Sequence, residues 1–340
     1  MTIHRSPLAI ATFIVLSAAL AQANPFTQSV FATGTSLGVT GPDSVTYGDG
    51  SLWVAYQNGA ASDGSSGSSL VARYSLSGTV QHQWTIAGNV DGLRIDPTGL
   101  VWALQNNDGN STLTTINPIT NATQFFTYGS TYTDVANRGF DDVEFSNGKT
   151  FLSETNPASA TDPILLMLTN SLATPPLQLA SLLAAGPITD PDSLILMPNG
   201  DLALTGEADQ TIVFIHNPGT PSQSVTYLPL VGVGAGLPDD TSFPNNSQGL
   251  FFYADTGANT VYQVSATGLL PGSAFIDVGN EFGSLDTNTG VVTPIFTGVS
   301  PHGLAFVPTP EPSSLYVLLT VVFLCGAGNW LRKRQGRTAK

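Results

Sequence analysis

The chain has 340 residues, with 24 acidic and ten basic side chains, a formal net charge of −14 and one cysteine, Cys325. Between Asn24 and Thr309 the only basic residues are Arg73, Arg94, Arg138 and Lys149, against 23 acidic ones, a net charge of −19. Such a field repels nucleic-acid phosphates and anionic lipid head groups, and the absence of cysteine from this stretch excludes disulfides, thiol nucleophiles and thiolate metal sites.

In chain order, Arg5 precedes an apolar run from Leu8 to Leu20, and Ala21-Gln22-Ala23 supplies the small-x-small pattern that signal peptidase cleaves. Residues 1–23 are therefore expected to be a signal peptide cut after Ala23, with signal peptidase as a processing partner. An uncleaved anchor is the alternative, but the run is shorter than a comfortable bilayer span.

The body, residues 24–309, repeats itself. A polar-x-aliphatic triplet recurs at Asp43-Ser44-Val45, Asp91-Gly92-Leu93, Asp141-Asp142-Val143, Asp192-Ser193-Leu194, Gln248-Gly249-Leu250 and His302-Gly303-Leu304, with spacings of 48, 50, 51, 56 and 54 residues. After the first four copies comes a turn and a second apolar segment. Asp49-Gly50 precedes Leu52-Trp53-Val54 and Asn147-Gly148 precedes Phe151-Leu152, both strong hairpin signals because type I′ turns need positive φ. Third strands follow, as at Leu70 to Tyr74 and Thr211 to Ile215. About fifty residues per antiparallel meander, repeated five or six times, predicts an all-β fold, a β-propeller of about six four-stranded blades, with five or seven also compatible. A pair of β-sandwiches is the rival, and it leaves the period unexplained. Ring closure is expected from Phe26 to Phe31 joining the segment Gly303 to Val307, and Ala274 to Phe296 reads as a compact extra unit of three strands. The one candidate helix, Ser181 to Ala185, is too short to change the class.

The last segment, residues 310–340, has three parts: Pro310-Glu311-Pro312, an uncharged apolar run over residues 315–331, and a basic tail over 332–340 that opens with Arg332-Lys333-Arg334. The run is near the short end of the roughly 17–25 residues that span a bilayer, which predicts a C-terminal transmembrane helix with its basic flank cytoplasmic and the body exported. This order of parts resembles the PEP-CTERM sorting signal of Gram-negative bacteria that make exopolysaccharide. The resemblance implies processing by an exosortase, transient anchoring in the inner membrane, and delivery to the cell envelope, outer surface or surrounding matrix. Within the body, Asp255-Thr256-Gly257-Ala258-Asn259-Thr260-Val261-Tyr262 is similar to part of the NHL and strictosidine-synthase-like propeller repeats, which agrees with the fold expected from the period.

If the triplets open equivalent inner strands, Asp43, Asp91, Asp141, Asp192, Gln248 and His302 form one ring at a channel mouth. Asp43, Asp91, Asp141, Asp192 and His302 are then candidate metal ligands, calcium being the cation that clustered oxygen donors suit, and Asp142, Asp190 and Glu154 lie near in sequence. The competing reading makes each recurring residue a local brace for its own loop, and recurrence in every unit favours that one. Lactonase- and phytase-like propeller hydrolases place a metal at such a mouth, so the resemblance in fold implies a hydrolase as an alternative function. No Gly-x-Ser-x-Gly elbow occurs, His82 and His216 have no partner at metal-type spacing, Asp239-Asp240 reads as a solvated acidic loop, and Gly232 to Gly236 is followed by Pro238 and no helix. Trp53, Tyr56, Trp84, Trp102 and the run Phe251-Phe252-Tyr253 sit where aromatics fill blade cores. No catalytic residue is assigned. The expected function is that of an exported, non-catalytic binding or surface module, with the exopolysaccharide as a candidate partner and the hydrolase as the alternative.

Overall fold

The computed structural model describes residues 25–129 and 138–309. The signal sequence with Ala21 and Ala23, and the sorting segment with Pro310, Glu311, Pro312, Arg332, Lys333 and Arg334, lie outside the described residues. Among the described residues no helix is long and apolar enough to cross a membrane.

Six four-stranded antiparallel sheets form a six-bladed β-propeller. Blades 1 to 4 each use four consecutive strands, with inner strands at Pro42–Gly48, Val90–Ile95, Phe140–Ser146 and Pro191–Leu196. Second strands such as Ser51–Tyr56 (SLWVAY) and Val101–Gln105 (VWALQ) are buried at every position, because a neighbouring blade packs on each face. The outer strand Val80–Ala87 instead alternates buried and exposed residues towards its end. The hairpins expected at Asp49-Gly50 and Asn147-Gly148 have positive φ at both residues, 49° and 70° in the first and 51° and 73° in the second. The segment containing Ser181 to Ala185 is not helical but the strand Leu179–Ala184, paired with Pro163–Leu168. At five residues it could not repay helix nucleation, whereas a strand there completes blade 3.

Blades 5 and 6 exchange strands. Pro238–Ser242 is the inner strand of blade 5, yet the chain next forms Gln248–Asp255 and Thr260–Thr267 in blade 6. It then returns to blade 5 for Ala274–Val278, Glu281–Leu285 and Val292–Thr297. Pro301–Pro308 finally becomes the inner strand of blade 6, and the N-terminal strand Phe26–Thr33 its outer one. The extra unit expected at Ala274 to Phe296 is therefore the rest of blade 5, while the closure by Phe26 to Phe31 occurs as expected.

Six apolar clusters, one per blade-to-blade wedge, hold the ring. The wedge between blades 6 and 1 packs Phe252, Val261 and Val307 against Val45, Val54 and Tyr74. Each fully buried side chain of this size stabilises by about 1.5–3 kcal/mol, so closure is held by burial in a body without disulfides.

Candidate functional site: the acidic mouth of the channel

Every inner strand carries a one-residue bulge at the same place. The register slips between Pro42 and Val45, Val90 and Leu93, Phe140 and Val143, Pro191 and Leu194, and Pro238 and Thr241, and in blade 6 beside His302. A bulge bends a strand and turns side chains out of the pleat. Here it delivers two successive residues per blade to the channel axis, so two stacked rings form at one mouth.

The first ring is Asp43, Asp91, Asp141, Asp192, Asp239 and His302. Asp239 takes the place expected for Gln248, which lies on the second strand of blade 6 at the end away from the mouth, beside the pair Gly249 and Pro308. The segment Asp239-Asp240 is thus an inner strand instead of a solvated loop. Its signal was present: Pro42-Asp43, Pro191-Asp192, Pro238-Asp239 and Pro301-His302 share a leading proline, which suits the first position of a strand.

Asp43 neighbours Asp91, Asp91 neighbours Asp141, and Asp141 neighbours Asp192, each pair of carboxyls close enough to interact strongly. Burial, then the charge of neighbouring carboxylates, holds Asp43, Asp141 and Asp192 well above the ordinary carboxylate range. Asp91 is raised by burial as well, and it accepts from Gln57 Nε2 at 2.8 Å and Asn107 Nδ2 at 3.1 Å. His302 Nδ1 lies 2.7 Å from Asp239 Oδ2 and 3.8 Å from Asp43 Oδ1. Burial pulls the imidazole down, but Asp239, Asp43 and Asp277 outweigh it and hold His302 at about 10, a cation at neutral pH.

The second ring is Ser44, Gly92, Asp142, Ser193, Asp240 and Gly303, and it behaves as a set of braces. Asp142 accepts from the amide of Leu194 on the next blade at 3.1 Å, and Asp240 from that of Leu304 at 2.8 Å. Ser193 Oγ donates to the carbonyl of Asp239 at 2.8 Å. Gly92 and Gly303 bring adjacent inner strands together, since a Cβ on either would run into the carbonyl oxygen of Asp141 or Asp43. Arg94 from blade 2 crosses beneath the ring, pairing with Asp142 and donating from Nη2 to Leu194 O at 2.9 Å and from Nε to Val143 O at 3.2 Å. Burial lowers the Arg94 guanidinium, but Asp142, Glu144 and Asp240 more than restore it.

Above the rings lies a cavity of about 380 Å³ in which every lining residue is polar or glycine; its wall includes Gln57, Asn107, Asp108, Asp190, Glu207 and Thr256. Glu207 is raised to about 7 by burial and by Asp239 and Asp190. Of the residues near in sequence to the candidate ligands, Asp142 and Asp190 line the cavity, while Glu154 pairs with Arg138. His216 pairs with Asp201 at 2.8 Å, and His82 packs on Trp84 with ring centroids 4.3 Å apart. Trp53, Tyr56, Phe251, Phe252 and Tyr253 are core residues. Among the described residues no three of His, Cys, Asp and Glu surround a common point at metal-ligand distances. The carboxylates touch in pairs instead.

No protein-family model and no curated protein matches the sequence. Solved structures do match. A protein of unknown function from Bacteroides caccae aligns with 79% of this chain and 87% of its own, at 13% identity and a TM-score of 0.50. A periplasmic gluconolactonase from Pseudomonas aeruginosa aligns with 79% of this chain and 89% of its own at 15% identity and a TM-score of 0.49. A streptogramin B lyase aligns over 84% and 74% at 14% identity, with a TM-score of 0.48. The likeness is one of fold, and no activity follows from it.

Proposed function

We propose that this chain is an exported β-propeller, sorted to the cell envelope by its C-terminal segment, that acts as a non-catalytic binding module and takes a hard divalent cation, calcium first, into its acidic mouth. The observation that carries the reading is the contrast between adjacent residues. Second-ring carboxylates accept from backbone amides of the next blade, whereas the described partners of the first-ring carboxylates are all side chains, converging on one cavity. Two unit charges about 4 Å apart repel by roughly 4 kcal/mol at an effective dielectric near 20, which protons or a cation must relieve. Asp43, Asp91, Asp141 and Asp192 offer only oxygen donors, the set that calcium prefers. His302, protonated against Asp239, is a charge neighbour of the seat.

The mainly polar wall suits a hydrated cation or a polyhydroxylated ligand held through one, the exopolysaccharide being the candidate. The chain's exit also fits an anchored module. Pro301–Pro308 runs from the acidic mouth to the other end of the channel, about 23 Å at ~3.3 Å per residue, so a chain held by its tail turns the mouth away from the membrane. One observation favours a hydrolase instead: Glu207, at about 7 in the same cavity, has the affinity for protons that a general base needs.

Calorimetric titration with calcium, together with melting in calcium and in EDTA, tests the reading. Binding with a rise in Tm that EDTA reverses is expected, and absence of both rejects it. Calcium-dependent cleavage of lactone or phosphate-ester substrates that is lost in Glu207→Gln would replace the binding module with the hydrolase.

A further inference from the structure

The two ends of the channel are built from the same inner strands and have opposite character. Four residues on from each member of the first ring, every blade places a large aromatic or aliphatic side chain: Tyr47, Ile95, Phe145, Leu196, Phe243 and Phe306. All six line a cavity of about 620 Å³ at the end of the channel away from the acidic mouth. The two charged residues in its wall are already engaged by the propeller. Arg94 pairs with Asp142 and donates to the carbonyls of Val143 and Leu194, while Glu144 accepts from the amides of Phe145 and Leu196 at 2.8 and 3.1 Å. A second hollow of about 500 Å³ shares Tyr47 and Ile95 with the first and leads out to Ile119, which is 87% exposed. Together they form a trough with an apolar collar, in a body whose net charge is −19, and a patch of this kind marks a docking surface.

The chain itself supplies the occupant. Pro308, at the end of the blade 6 inner strand, lines the cavity, and the sequence runs on through Pro310-Glu311-Pro312-Ser313-Ser314 into Leu315-Tyr316-Val317-Leu318-Leu319. The six steps from Thr309 to Leu315 reach roughly 20 Å at most, at ~3.3 Å per residue. A tether that short gives an effective concentration on the order of millimolar, so weak affinity is enough to fill the site. Charge agrees, because residues 310–340 carry five basic side chains and one acidic one, opposite in sign to the body. A second copy would instead press two bodies of net charge −19 together.

We infer that the collar is a docking site for the chain's own C-terminal segment, with Leu315 to Leu319 packed on it in the uncut chain. The propeller is then seated on its tail as well as tied to it, with the acidic mouth held outward. This seat does not depend on a cation.

Disulfide trapping under a mild oxidant tests it, using the full-length chain in neutral phosphatidylcholine vesicles with Cys325→Ser as background. Leu196→Cys with Tyr316→Cys is compared with Asn288→Cys with Tyr316→Cys, Asn288 being an exposed hairpin residue of blade 5 at the same end of the propeller. The expected result is an intramolecular disulfide that forms at least tenfold faster in the Leu196 pair. Leu315→Asp, a change outside the propeller, should bring that rate down to the level of the Asn288 pair. Equal rates in the two pairs, no disulfide in either, or a Leu196 rate indifferent to Leu315→Asp overturns the seat. Disulfides between chains at Leu196 also overturn it and give the collar to a second copy.

Discussion

Neighbouring residues of one tripeptide do opposite jobs in this propeller. At Asp141-Asp142, the second carboxylate accepts from the amides of Val143 and Leu194 and pairs with Arg94, while the first touches Asn107, Asp91 and Asp192. The bulge brings both to the cavity wall, but it faces the first towards the other first-ring carboxylates and leaves the second bonded to the adjoining strand. Stability thus resides in the second ring, and unspent charge in the first.

The largest break in that contrast should come from Asp142→Ala. It leaves the buried Arg94 without its closest charge and the Leu194 amide without an acceptor, and loss of one partner of a buried pair costs about 3–5 kcal/mol. Chemical denaturation measures this, and a loss below 1 kcal/mol would mean the brace is redundant. Next comes Gly92→Ala, where the new methyl group meets the Asp141 carbonyl and the strands must part, for a loss of about 1–3 kcal/mol in the same measurement.

The smallest effect, and of opposite sign, is expected in the first ring. Asp192→Asn removes a carboxyl from a row of like groups and should leave Tm at neutral pH unchanged or higher. The pH dependence follows from the raised folded values. The folded state holds its protons more tightly, so stability is full below the unfolded carboxylate value near 3.9 and falls as pH rises from there through the folded values. For Glu207 that window runs from about 4.3 to about 7. Melting in EDTA between pH 4.5 and 8 should show Tm falling, less steeply in Asp192→Asn. A Tm that rises across this range would show that the first ring is stabilised as carboxylates and needs no cation.

Much of this architecture was legible in local pattern. Continuous apolar runs such as Leu52 to Tyr56, Asp-Gly and Asn-Gly turns, and a period near fifty residues reflect strand pairing between close neighbours in the chain, so blades 1 to 4 could be read directly. Asp43, Asp91, Asp141, Asp192 and His302 take the places that their triplets imply. Gln248 does not, because Gln248-Gly249-Leu250 mimics the triplet in residue class while belonging to a second strand.

The exchange between blades 5 and 6 is the reason for that failure and for the missed residues. Composition and spacing were enough to specify an acidic six-bladed propeller with four of its first-ring carboxylates, since those depend on contacts within a single blade. Asp239's place in the ring, the division between charged mouth and braced interior, and the position of Asp277 depend on pairings between Pro238–Ser242 and Ala274–Val278, separated by two strands of another blade. Such pairings are chosen by how wedges fill and by which strand can close the ring, and those are properties of the assembled propeller and of no single segment.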